Sequence, residues 1–166
     1  MNTGMNTAKA APASLIGALD TLAREATTAA GLMDSIVSLL HEALMNYNWV
    51  GFYMLEKDGG ADVLVLGPFR GAATPHTRIP LNQGICGAAA SSGETVVVDD
   101  VGSDARYLAC SLETKSEIVV PIFAGRRVAG ELDIDSYVPA AFGAEDRRLC
   151  EHAARLVGRW LEAHAG

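Results

Sequence analysis

Three acidic residues, Glu131, Asp133 and Asp135, alternate with Gly130, Leu132 and Ile134 in the stretch GELDIDS. A period of two puts the three carboxyls on one face of a strand and the apolar residues on the other. Such a row is costly unless it is solvated or put to use. The neighbouring stretch SEIVVPIF favours use, because Glu117, Val119, Pro121 and Phe123 share one face and Ile118, Val120 and Ile122 share the other. Both faces are apolar enough to be covered, as in a central strand. Something therefore lies over the acidic side, and the long polar stretch 101–116 feeds directly into it. That stretch carries Cys110.

A thiol under a lid beside Glu117, Asp133 and Asp135 is a composition suited to nucleophilic or redox chemistry. Adjacent anions oppose one another's ionisation, so at least one carboxyl is expected to keep its proton near neutrality and to serve as an acid. The same field favours the protonated thiol. A lone cysteine is also ordinary core packing, and an acidic strand face is also ordinary solvated surface. The residue pattern alone leaves those readings open. A second wall is offered by NWVGFYML, where Trp49, Gly51 and Tyr53 fall on one face and Val50, Phe52 and Met54 on the other. Two aromatics with polar handles and a gap between them suit a small ligand.

The elements that must position these groups follow from periodicity. Leu15, Ile16, Leu19, Leu22, Ala23 and Ala26, and then Met33, Ile36, Val37, Leu40 and Leu44, recur at helical spacing. Strands are expected at 49–55, 62–66, 74–79, 95–98, 117–123 and 128–135, with a tight turn at Asp58-Gly59-Gly60 and another at Ala124-Gly125-Arg126. A short helix is expected at 85–91, and a final helix from about Gly143 presents Leu149, Ala153, Leu156, Val157, Trp160 and Leu161 on one stripe. Strands joined by hairpins and bracketed by helices predict an α+β fold. Residues 1–13 read as a mobile tail and 14–166 as one domain, since 166 residues with 49% apolar content support a single core.

Composition bounds the partners. A net charge of −7 repels phosphate backbones and anionic headgroups, so neither nucleic acid nor a membrane surface is expected to bind. No apolar run approaches the roughly 20 residues that span a bilayer, and the opening residues lack the apolar core of a secretory signal. Cys86, Cys110 and Cys150 fit neither a disulfide framework nor a paired zinc motif. Free thiols in the reducing cytoplasm are the expectation. Apolar helices at both ends leave room for a homodimer.

The blocks NWVGFYML, LGPFRG, RIPLNQGICG, YLACSLETKSEIVVPI and GELDIDS resemble, in order and spacing, those of the free methionine-(R)-sulfoxide reductases, a family built on the GAF domain. The resemblance implies a central antiparallel sheet with the N- and C-terminal helices on one face and a loop-covered ligand pocket on the other. It implies Cys110 as nucleophile, with Glu117, Asp133 and Asp135 binding the substrate's amino group and helping to protonate the sulfoxide oxygen. Trp49 and Tyr53 would line the methyl-sulfoxide end. Attack at sulfur leaves Cys110 as a sulfenic acid, which a second thiol condenses with before a thioredoxin-type partner reduces the disulfide. No resident cofactor is implied.

The sequence departs from the family at its usual resolving cysteine, where His76 stands in PHTRIP. Cys86 matches the family's other cysteine and is the candidate to resolve in its place, with an external thiol such as glutathione as the alternative. Cys150 reads as core. His76 has three readings: a neutral replacement in the substrate pocket, a base or cation assisting Cys110, or a metal ligand together with Cys110 and nearby carboxylates, for which no motif spacing speaks. Two other functions stand beside the reductase: a sensor module that binds a small amino-acid-like molecule without turning it over, and a related enzyme, with or without a metal, on another amino-acid derivative.

Overall fold

The paired helical repeats near the N-terminus fold as expected in a computed structural model that describes residues 10–109 and 111–166. Helix α1 (Ile16–Glu25) follows a 3₁₀ turn at Pro12–Leu15, where proline's fixed φ suits a helical start. Ala10 packs on the core beside this turn. Helix α2 (Ala29–Ala43) opens on Thr28, whose hydroxyl accepts from the Gly31 N–H at 3.0 Å.

Strands β1 (Trp49–Asp58) and β2 (Ala61–Arg70) form the expected hairpin, with Gly59 and Gly60 at φ 56° and 91° in its turn. β2 runs four residues beyond the expected end, because its register with β1 shifts between Gly51 and Tyr53 and pairing resumes at Phe69 and Arg70. Strand β3 is only Arg78–Pro80, not the expected 74–79. Pro75 has no N–H to give a ladder, and side chains of β1 take backbone oxygens of the connection leading into β3. The Trp49 indole donates to Ala72 O at 3.0 Å and the Tyr53 hydroxyl to His76 O at 2.7 Å.

Helix α3 (Gly84–Ser92) and the short strand β4 (Val96–Val98) come next. Strands β5 (Ser116–Ala124) and β6 (Arg127–Ser136) form the second hairpin, and helix α4 (Ala144–Ala163) completes the chain. The six strands make one antiparallel sheet in the order β3-β2-β1-β6-β5-β4. The fold is α+β. Two distant segments, β1 and the β5–β6 hairpin, meet at its centre.

Each face of the sheet has its own core. Helices α1, α2 and α4 cover Val50, Phe52, Ile118, Val120, Ile122, Leu132 and Ile134 on one side. On the other, α3 and the following loop cover Trp49, Tyr53, Leu64, Ile79, Ile85 and Val119. Cys150 lies fully buried in the helix-side core, as expected. No helix among the described residues is long and apolar enough to cross a membrane.

Helix α4 lies so close to β5 that a Cβ added at Gly158 would overlap the Phe123 carbonyl. Gly158→Ala is therefore expected to destabilise the fold by about 1–3 kcal/mol, despite alanine's better helix propensity. Urea denaturation checks this; an unchanged or raised midpoint would contradict the packing.

Candidate active site

Register sets the geometry of the acidic face. Asp135 is paired with Trp49 on one side and Glu117 on the other; Asp133 lies between Gly51 and Val119; Glu131 lies between Tyr53 and Pro121. The expected alternation is therefore what the strands adopt, and all four acidic side chains are buried. The Trp49 indole fills the space over Gly51, where any Cβ would collide with it. It stacks on Phe69 at 5.6 Å and on Tyr53 at 6.2 Å between ring centres.

Among the described residues two small cavities border this face. The first is bordered by Tyr53, His76, Ile79, Gly84, Ile85, Cys86, Leu108, Glu117 and Asp133. The second is bordered by Trp49, Ala72, Ala73, Thr74, Ser111, Thr114, Asp135 and Tyr137. Sequence-predicted residues thus divide between them: Cys86, Glu117, Asp133, Tyr53 and His76 in the first, Asp135 and Trp49 in the second. Cys110 lies outside the described residues. Its chain neighbours reach both cavities, Leu108 the first and Ser111 the second.

The covering loop is tied down at its ends. Val101 N–H donates to Lys115 O at 2.9 Å and Lys115 N–H to Ser136 O at 2.8 Å, while Asp104 and Arg106 pair at 2.7 Å. The His76 ring joins the loop through Nε2 and Ala109 O, 2.9 Å apart. The position expected to differ from the family is therefore a bridge between the β2–β3 connection and the segment beside Cys110.

Burial dominates the electrostatics. Desolvation raises Glu117 well above the usual carboxylate range, and the Asp133 and Asp135 charges add to it. Glu131 and Asp135 are raised for the same first reason. Asp133 is pushed up to about 6 by burial, held back by hydrogen bonds from Glu117 and Cys86. It is the natural anion of the group, and its neighbours are natural acids. Burial also pushes the Cys86 thiol up, with Asp133, Glu131 and Glu117 contributing in that order. The thiol donates to Asp133 Oδ2 at 3.5 Å. No salt bridge among the described residues reaches any of the four carboxyls.

Two residues go beyond the expected set. Glu131 shares the acidic face in the sequence pattern, yet the resemblance assigns it no role; it is fully buried, interacts with the Cys86 thiol, and has no close hydrogen-bond partner among the described residues. Thr114 is buried at the second cavity, its hydroxyl likewise without a close partner among the described residues. Alternation could have singled out Glu131, whereas nothing in the irregular loop marks Thr114.

The sequence profile of the GAF domain matches residues 15–160. Free methionine-R-sulfoxide reductase of Escherichia coli is 40% identical over 111 residues, covering 67% of this chain and 64% of that protein. Its namesake from Saccharomyces cerevisiae is 38% identical over 69% of this chain and 63% of that protein. The matched region thus spans just under two thirds of those two relatives. The crystal structure of free methionine-R-sulfoxide reductase from Neisseria meningitidis in complex with its substrate superimposes with a TM-score of 0.85 at 35% identity, covering 93% of this chain and 90% of that one.

The buried carboxyls set a pH dependence for stability. Because folding raises them, the folded chain binds more protons than the unfolded one, so the stability they confer is present at acid pH and lost as pH rises through the folded values. For Asp133 that loss runs from its ordinary 3.8 to about 6, and the other three extend it upward. Surface Asp104, held at about 2 chiefly by hydrogen bonds from Arg106, stays ionised across this window. The ligand-free protein is expected to melt several degrees higher near pH 5 than near pH 8, and Asp133→Asn to flatten the trend. A melting temperature that rises over the same interval would refute it.

Proposed function

We propose that this chain, which belongs to the GAF-domain family, reduces free methionine-(R)-sulfoxide to methionine with Cys110 as the attacking thiol. The observation that carries the reading is that Glu117, Asp133 and Asp135 are buried at the cavities and, among the described residues, form no salt bridge. An amino acid's ammonium group supplies the missing positive charge, and its arrival favours ionisation of the carboxyls that contact it. Glu117 and Asp133 border one small cavity and Asp135 the other, so the carboxyls are placed where a small cationic group would meet them. Trp49 and Tyr53 provide the apolar wall for the methyl end.

In the proposed reaction the Cys110 sulfur attacks the sulfoxide sulfur, and a proton held by Glu117 or Asp135 goes to the oxygen. Methionine leaves and Cys110 is left as a sulfenic acid. A second thiol then displaces water to give a disulfide, which a thioredoxin-type dithiol reduces while it is itself oxidised. Cys86, in the wall of the first cavity, is the internal candidate for that second thiol, and glutathione the external one. Asp133 anchors the ammonium, and His76 positions the segment beside Cys110 through Ala109 O. Chemistry that cycles through free thiols assigns the protein to the reducing cytoplasm.

Methionine formation from the free (R)-sulfoxide, followed with dithiothreitol and then with a thioredoxin system, tests this. Cys110→Ser is expected to lower turnover at least about a thousandfold with either reductant. Asp133→Asn is expected to raise KM roughly tenfold or more by removing a charged hydrogen-bond partner. Cys86→Ser keeps dithiothreitol-supported turnover and loses the thioredoxin-supported reaction. Folded wild-type protein that binds the sulfoxide in thermal-shift assays but consumes none of it with either reductant would favour the sensor and end the reductase reading.

A further inference from the structure

We propose that Cys86, Glu117 and Asp133 form a binding site for a thiophilic divalent cation, with zinc as the best fit. One ligand atom from each of these three buried residues lies within 4.8 Å of the other two. Cys86 Sγ and Asp133 Oδ2 are 3.5 Å apart, and tetrahedral zinc with ordinary bond lengths holds a sulfur and an oxygen ligand about 3.5 Å apart. That pair is already set for a shared ion. Glu117 offers its oxygen within 4.8 Å of both, so a side-chain adjustment closes the third contact.

A second observation points to a cation at the same place. Among the described residues, Asp133 Oδ1 and both Glu131 oxygens are buried without a close hydrogen-bond partner, Glu131 interacting only with the Cys86 thiol itself. Buried polar atoms are ordinarily satisfied, and these three of the five unmet atoms lie with that thiol while Asp135 and Thr114 border the other cavity. A dication answers them: on binding it displaces the thiol proton to solvent and draws the carboxylates to itself. Ile79 and Ile85 give the site the apolar surround that strengthens such contacts, and the mix of one thiolate with carboxylates favours zinc over magnesium or calcium. The site shares Glu117 and Asp133 with the proposed substrate anchor and Cys86 with the proposed resolving thiol, so zinc occupies the ligand-free, reduced protein and competes with substrate; metal binding itself requires neither Cys110 nor turnover.

The test uses the full chain, reduced and freed of metal with a chelator. Zinc titration by calorimetry is expected to give one ion per chain, and cobalt substitution to give the near-ultraviolet charge-transfer band of a cobalt-bound thiolate. Cys86→Ser should abolish the band and weaken zinc at least about tenfold. Asp133→Asn should weaken zinc similarly with every thiol in place, and so answers even if the cysteine variant fails to fold. Cys110→Ser and Cys150→Ser should keep both signals. No zinc uptake by the folded protein, or uptake that survives both Cys86→Ser and Asp133→Asn, overturns the proposal; no substrate enters the measurement, so its outcome is separate from that of the turnover assay.

Discussion

Four carboxyls held out of water, with no basic side chain among the described residues bonded to them, are the constraint round which the rest of this structure is arranged. Each would cost several kcal/mol as an isolated buried anion. The fold meets that cost by letting protons stay, and by fixing the groups on β6 and β5 so firmly that they cannot swing out to solvent. The helix side supplies the fixing. Leu132 and Ile134 are pinned in the core under α1, α2 and α4, and since a strand's two faces share one backbone, Asp133 and Asp135 are pinned with them.

Much of this was legible in the sequence, because strand alternation is a strong local signal. The faces of β1, β5 and β6, the helical stripes and both hairpin turns follow from residue type and spacing. What escaped was decided by partners distant in the chain. The extra length of β2 comes from a register shift opposite Gly51, and the loss of strand at 74–77 goes with Pro75 and with the hydrogen bond that Tyr53 makes to His76 O. Neither the shift nor the Tyr53 bond leaves a mark in a window of ten residues.

The same distinction holds at the site. Glu117, Asp133 and Asp135 were readable as one face, but their division between two cavities depends on where the Trp49 ring lies and on the loop contributions of Leu108 and Ser111. Glu131 was visible in the pattern and lacked a role only because family likeness names its neighbours instead. His76 shows the converse: sequence alone marks it as a departure, and only the structure gives it a contact, with Ala109 O.

One consequence of the shared β6 backbone concerns how such a pocket could change over evolutionary time. Its floor is coupled to the stability of the whole domain, so substitutions there are costly whichever chemistry is under selection. The roof, being irregular chain tethered mainly at its ends, is free to drift. New ligand preferences in this scaffold should therefore arise from the roof, while the floor persists as an inherited acidic platform.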